Sequence, residues 1–263
     1  MRRCLLCCRL PTHNSEMAEH FHIVIPARMA STRLPGKPVT LLDDKTLIEH
    51  VWRRAIAVDA TSVVIATDSP QVADVASGFG ADVAMTDPAH QSGTDRVAEV
   101  ARQRDWQDDL VINVQGDEPF IPLSAIRQVV TLLRDDATAD IATLSAPISD
   151  DNQWQDPNCV KVISDRAGRA LVFTRAPVPY RRHNGGHPAQ RHIGIYGYKA
   201  ASLHALVAEP PCALELTESL EQLRALWIGQ TIVVAEAVDV PPPGIDTPAD
   251  LAAARALLSE QAT

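Results

Sequence analysis

The stretch SVVIATDSPQVADVASGFGADVAM, residues 62–85, decides the fold. Its opening SVVIA is apolar and β-branched, without the polar alternation of a half-exposed strand, and so reads as a strand buried on both faces. Ser69 and Pro70 then supply an N-cap and a proline at the first helical position, and Gly78 and Gly80 close the helix. Residues 82–85 return to a short strand.

The same alternation extends in both directions. Upstream, HIVIP at residues 22–26 reads as a strand ending in proline, followed by a loop and a helix over 46–58. Downstream come a helix over 94–104 with Val97, Ala98 and Ala101 on one face, the apolar strand LVINV at 110–114 and a helix over 124–133. Four alternations of apolar strand and helix in about 110 residues predict an α/β fold, a mostly parallel sheet covered by helices. Such sheets bind ligands beyond the carboxyl ends of their strands, so the loops after the first and fourth strands are the places to search. The second half is less regular. It offers strands at 141–146, 160–163, 170–173, 193–198 and 231–238, helices at 216–227 and 249–258, and a loop, RRHNGGHPAQR, at 181–191. With no repeat and no linker rich in proline or glycine, residues 21–260 read as one domain whose second half adds antiparallel strands.

Composition narrows the function. The 263 residues carry 33 Asp and Glu against 24 Lys and Arg, a formal charge of −9, which argues against a nucleic-acid or membrane-surface binder. There is no run of about 18 apolar residues to cross a bilayer. Three of the five cysteines, Cys4, Cys7 and Cys8, crowd into the first eight residues, while Cys159 and Cys212 lie far apart; this is no disulfide framework and suits a reducing compartment. The first residues lack the pattern of a signal peptide, because Arg9 and Pro11 break the apolar stretch. Residues 1–20 are expected to be a disordered extension, with Met17 as the natural start.

In a chain that is acidic overall, the loop after the first strand gathers Arg28, Arg33 and Lys37 with the hydroxyls of Ser31 and Thr32. Guanidinium forks, a mobile ammonium and the backbone of a glycine-bent loop suit phosphate oxygens, although the spacing is not that of a Walker A loop. After the fourth strand comes Gln115-Gly116-Asp117-Glu118-Pro119, where a carboxylate just past a buried strand serves either as an acidic turn or as a ligand for a divalent cation on phosphates. Near the carboxyl end, Thr247, Pro248 and Asp250 are explained by helix capping, which leaves Asp246 as a second candidate metal ligand. Ser92 and Gly93 precede a helix, where the serine either caps it or faces a nucleotide. Glu221 and Arg224, three apart on the expected helix, suit a surface pair.

Together these segments closely resemble the 3-deoxy-manno-octulosonate (Kdo) cytidylyltransferases, or CMP-Kdo synthetases. The matching segments are IPARMASTRLPGKP (25–38), ATDSPQVA (66–73), HQSGTDR (90–96), VINVQGDEPFIP (111–122), RHIGIYGYK (191–199), LEQLRALW (220–227) and GIDTPADL (244–251). They keep family order over nearly the whole chain. The resemblance implies a nucleotide-diphospho-sugar transferase (GT-A-like) fold, a homodimer, dependence on Mg²⁺, and the reaction of CTP with Kdo to give CMP-Kdo and diphosphate. It also implies a cytoplasmic enzyme of lipopolysaccharide synthesis in a Gram-negative bacterium. By residue, it implies that Arg28, Ser31, Arg33, Lys37, Ser92 and Gly93 bind the nucleotide and that Asp117 and Asp246 hold the metal. Lys37, Asp117 and Asp246 then form the catalytic centre. Gln115, Arg175, His192, Tyr196, Glu221 and Gln222 match positions of the sugar pocket, with Arg175 expected to meet the sugar carboxylate.

Three features depart from the family pattern: the extension before Met17, a short 181–191 loop, and Pro241-Pro242-Pro243 ahead of Gly244, which stiffens the approach to Asp246. Two rival readings follow. One is a sister cytidylyltransferase for sialic acid or the 8-amino analogue of Kdo; the other is a nucleotide sensor without turnover, against which the two metal carboxylates argue.

Overall fold

In a computed structural model, residues 20–31, 33–182 and 188–261 are described. The expected extension (1–20, save its last residue), Thr32 and the middle of the 181–191 loop therefore lie outside the described residues. Strand β1 (Phe21–Ala27) occupies the centre of the sheet and is followed by a short 3₁₀ turn (Lys37–Val39), a two-residue hairpin of β2 (Leu41–Leu42) and β3 (Lys45–Thr46), and helix α1 (Leu47–Ile56). β1 pairs in parallel with β4 (Ser62–Thr67) on one side and with β6 (Leu110–Asn113) on the other, and β5 (Asp82–Met85) extends the sheet beyond β4. Helices α2 (Pro70–Gly78), α3 (Gly93–Gln103) and α4 (Leu123–Asp135) connect these strands to their successors.

The second half completes the sheet. After β7 (Ile141–Pro147), helix α5 (Asp151–Gln155) leads to a hairpin of β8 (Lys161–Ser164) and β9 (Ala170–Thr174), and β8 pairs with the start of β10 (Gln190–Lys199). β10 lies antiparallel between β6 and β7, and β11 (Ile232–Glu236) is parallel to β7. The strand path is β11-β7-β10-β6-β1-β4-β5, along which β10 alone runs against the others. This is the mixed, mostly parallel sheet expected.

The apolar strands are explained by cores on both faces. Ile23 and Ile25 pack with Ile48 and Val51 of α1 and with Ile126 and Val129 of α4. Val24, between them in sequence, packs on the other face with Val97 and Ala101 of α3 and with Leu203 and Leu206 of α6 (Ala200–Ala208). All three β1 side chains are fully buried, and each contributes about 1.5–3 kcal/mol to folding.

Four expectations need correction. The 216–227 segment is two helices, α7 (Ala213–Glu218) and α8 (Gln222–Trp227), separated at Ser219, whose left-handed φ of 51° ends the first. Consequently Arg224 does not pair with Glu221; it reaches back across the break to Glu215, at 2.8 and 2.7 Å. Helix α6, with no side-chain cap to announce it, was not anticipated, and Gln190 and Arg191 belong to β10 rather than to the loop before it. Helix α9 (Pro248–Gln261) closes the chain where expected.

Candidate active site

The loops after β1 and β6 meet at the carboxyl end of the sheet. Lys37 opens the 3₁₀ turn behind Gly36, whose φ of 68° suits glycine. From there its Nζ donates to Asp117 Oδ2 at 2.7 Å and to Asp246 Oδ1 at 3.0 Å. Arg33 Nη2 lies 3.0 Å from Asp246 Oδ2. Two glycines allow the convergence. A Cβ on Gly116 would stand 2.7 Å from the Pro26 carbonyl oxygen, and one on Gly244 would stand 3.4 Å from that of Asp117. Beyond Gly244, Ile245 N donates to the Asp117 carbonyl at 2.9 Å, tying the two aspartate loops together. Thr247 and Asp250 satisfy each other as caps of α9, with Asp250 N donating to Thr247 Oγ1 at 3.2 Å and Thr247 N to Asp250 Oδ2 at 2.8 Å. Asp246 is thus free to face Lys37.

Burial disfavours the charged Lys37 ammonium, but Asp117 and Asp246 outweigh that cost and raise its pKa above the ordinary lysine value. Glu118, beside Asp117, has the opposite fate. Burial first, and then the Asp117 charge, push its carboxyl up to about 7 against a weaker pull from Arg191. Its Oε2 is buried without a hydrogen-bond partner among the described residues.

These residues form one side of a cleft of about 400 Å³, lined by Arg28, Ser31, Arg33, Lys37, Ser92, Gly93, Asp117 and Asp246. All the residues assigned to nucleotide and metal therefore share one cavity. Ser92 caps α3, its Oγ accepting from Asp95 N at 3.1 Å while the Asp95 carboxylate accepts from Ser92 N, and the residue also lines the cleft. Arg96, in the same wall, was not singled out from sequence. It is buried and donates to Asp68 Oδ2 at 2.5 Å and to Thr86 Oγ1 at 2.7 Å, fastening the start of α3 to the loops after β4 and β5.

A second cavity, of about 210 Å³, shares Gly93 and Gln115 with the first and is lined by Thr94, Asn113, Tyr196, Tyr198, Glu221 and Gln222. Burial raises the pKa of both tyrosine hydroxyls, so they stay protonated as donors. Burial likewise raises Glu221, with hydrogen bonds from Thr94 and Ser92 opposing the shift. The lining is neutral but for that carboxyl. Asn113 and Tyr198 were missed; the one polar residue in the otherwise apolar LVINV strand was a legible signal.

Two expected sugar-pocket residues line neither cavity. His192 is packed between Phe173 and Tyr196, with Nε2 2.9 Å from Thr143 Oγ1, and burial pushes its pKa down to about 3. It is neutral at ordinary pH and so brings no positive charge. Arg175 donates to the carbonyl oxygens of Glu218 (2.6 Å), Pro157 (2.9 Å) and Ser219 (3.2 Å) rather than facing a cavity.

Comparison with known proteins bears on the same residues. The cytidylyltransferase family matches residues 22–232. The 3-deoxy-manno-octulosonate cytidylyltransferase of Pseudomonas fluorescens (strain SBW25) is 49% identical over 252 residues, covering 92% of this chain and 99% of that protein. That of Thioalkalivibrio sulfidiphilus (strain HL-EbGR7) is 49% identical over 246 residues, covering 90% and 98%. Among solved structures, CMP:2-keto-3-deoxy-manno-octonic acid synthetase complexed with CTP superposes with a TM-score of 0.88 at 39% identity, covering 92% of this chain and 99% of its own. The expected nucleotidyltransferase fold is thus the one present. Motifs, topology and full-length similarity agree: the chain belongs to the cytidylyltransferase family and, within it, to the 3-deoxy-manno-octulosonate cytidylyltransferases.

Proposed function

We propose that the enzyme transfers CMP from CTP to Kdo, yielding CMP-Kdo and diphosphate for lipopolysaccharide synthesis. The observation that carries this reading is the convergence of Lys37, Asp117 and Asp246 at the base of a cation-lined cleft that opens into a mainly neutral polar cavity. Arg28, Arg33 and Lys37 hold the triphosphate and stabilise the charge that builds on the departing diphosphate. Gln115, Tyr196, Glu221 and Gln222 orient the sugar from the adjoining cavity. The anomeric oxygen forms a bond to the α-phosphorus while the bond to the β-phosphate oxygen breaks in line. Diphosphate takes that electron pair, and the sugar hydroxyl gives its proton to solvent water.

A divalent ion suits this arrangement. The Lys37 ammonium already sits between the two carboxylates, 2.7 and 3.0 Å from an oxygen of each, so Asp117 and Asp246 converge on one compact positive charge. Among the described residues no third acidic, histidine or cysteine side chain completes a protein cage. Mg²⁺ accepts such a site, since it takes one or two carboxylates and fills the rest of its shell with phosphate oxygens and water. Bound there, it would offset charge on the triphosphate and polarise the α-phosphate.

The same reading makes the protein a cytoplasmic homodimer. The location follows from the proposed use of CTP, and no helix among the described residues is long and apolar enough to cross a membrane. Support for the dimer is apolar surface on α7 and α8, where Leu214, Leu216 and Trp227 are exposed. Diphosphate release with CTP and Mg²⁺, measured with Kdo, its 8-amino analogue and sialic acid, tests the reaction. Kdo is expected to give the highest kcat/KM; preference for either of the others overturns the substrate assignment.

A further inference from the structure

The loop from β5 into α3, residues 86–92, supplies one wall of the larger cleft through His90, Gln91 and Ser92. Two side chains of α3, three residues apart, hold its backbone from behind. Asp87 N donates to Glu99 Oε2 at 2.8 Å, and the Asp87 carbonyl accepts from Arg96 Nη1 at 3.3 Å. The same Glu99 oxygen stands 2.6 Å from His90 Nε2, while Gln103 Nε2, one turn further along α3, donates to Glu99 Oε1 at 2.9 Å. Burial raises the Glu99 pKa, but the hydrogen bonds from Asp87 and His90 outweigh it and hold this carboxyl below the ordinary glutamate value. An ionised carboxylate only accepts, so His90 Nε2 carries the proton and, in the neutral ring, Nδ1 is an acceptor. That nitrogen has no protein partner among the described residues.

This wall also differs from the rest of the cleft in charge. Arg28, Arg33 and Lys37 all follow β1, where the triphosphate is proposed to lie, whereas Arg96 is engaged by Asp68, Thr86 and Asp87. The β5–α3 loop thus offers hydrogen bonds rather than free charge to the remainder of the nucleotide, its nucleoside. From this geometry we infer that His90 binds the nucleoside and that Glu99 is its positioning residue: Glu99 fixes the imidazole in the cleft wall with Nδ1 as acceptor for a hydrogen bond from CTP, given by a ribose hydroxyl or by the amino group of the base. The inference rests on the proposed reaction for the identity of the nucleotide.

Calorimetric titration of the full chain with nucleotide and Mg²⁺, without sugar, tests it. A parent that binds no CTP overturns the proposed reaction and this inference together; a parent that binds it lets the inference fail or stand alone. Glu99→Gln, His90→Ala and the double variant are then compared using CTP, 2′-deoxy-CTP, 3′-deoxy-CTP and UTP, which remove the candidate donors one at a time. Glutamine keeps the shape of Glu99 but can itself donate to Nε2, which turns Nδ1 into a donor. Each single variant is expected to raise the CTP Kd about 10-fold, the loss of one hydrogen bond. The double variant should be no worse than the poorer single one. The analogue that lacks the contacted donor should bind parent and variants alike, and so identifies the group. An equal loss for all four nucleotides would mark a general loosening of the loop and overturn the inference. So would an unchanged CTP Kd in either single variant.

Discussion

The cleft proposed for the nucleotide and the cavity proposed for the sugar share a wall at Gly93 and Gln115, yet they are built in different ways. The cleft lies on loops beyond the parallel strands, and full charges line it: Arg28, Arg33 and Lys37 facing Asp117 and Asp246. The cavity lies where parallel β6 meets antiparallel β10, walled by these strands, the start of α3 and the α8 turn, and is dominated by neutral groups, among them two tyrosines that burial keeps protonated. Phosphate is recognised by charge, which a short loop can carry. A sugar is recognised by many uncharged contacts whose places the whole fold must set.

The sharpest way to break this contrast is to neutralise the cleft. Lys37→Ala or Asp117→Asn should each lower kcat/KM with CTP about 10³-fold, roughly 4 kcal/mol of transition-state stabilisation. Because the cavity is untouched, the sugar KM should change far less. A diphosphate-release rate equal to the parent's for Asp117→Asn would remove that carboxylate from the mechanism. CTP binding by a parent protein that releases no diphosphate with any of the sugar acids would instead favour a sensor.

Next in size is the backbone that brings the halves together. Gly116→Ala forces a Cβ to within 2.7 Å of the Pro26 carbonyl, a backbone atom of the central strand with little freedom to yield. A loss of about 3 kcal/mol in unfolding free energy by urea titration is expected. An alanine variant with parent stability would mean that the two loops separate easily, and the shared site would lose its rigid base.

This comparison also explains what the sequence made legible. SVVIATDSPQVADVASGFGADVAM carries its own strand, cap, proline and closing glycines, so its βαβ unit is readable without knowing the rest of the chain. The cleft residues stand in four short segments that follow strands β1, β5, β6 and β11, and are readable for the same reason. The 216–227 break is not, because a serine takes the left-handed position that glycine ordinarily announces. The hydrogen bonds of Arg175 were not legible for a related reason: a free and a clasped guanidinium look alike in sequence, and its partners lie 18 to 44 residues away. Asn113 and Tyr198 become pocket residues only because β10 runs antiparallel beside β6, a pairing no local pattern encodes.

On the cavity side, His192 provides a pH test. Its folded-state pKa, about 3, lies below the unfolded value of 6.5, so the unfolded chain takes up the proton first as pH falls. The stability due to its neutral form is complete above pH 6.5 and is lost progressively as pH drops from there toward 3. Between pH 7 and pH 5 this single group should account for about 2 kcal/mol, so His192→Gln should flatten the stability–pH curve by that amount. An unchanged curve would place the imidazole in contact with water, and so open to a role in binding the sugar.

The smallest effect belongs to Arg33, and its smallness is informative. Its side chain is 64% exposed and its partner Asp246 40% exposed, so water and salt screen the 3.0 Å pair, and Arg33→Ala should cost less than about 1 kcal/mol of folding stability. The nucleotide, by contrast, should notice the loss: the CTP KM is expected to rise several-fold at low ionic strength, with the gap between parent and variant narrowing as salt shortens the reach of the charge. The sugar KM should stay constant across the same salt series, because the lining of the neighbouring cavity is neutral apart from the Glu221 carboxyl. If the sugar KM climbed with salt as steeply as that of CTP, both substrates would be held by charge, and the division between the two halves of the site would fail.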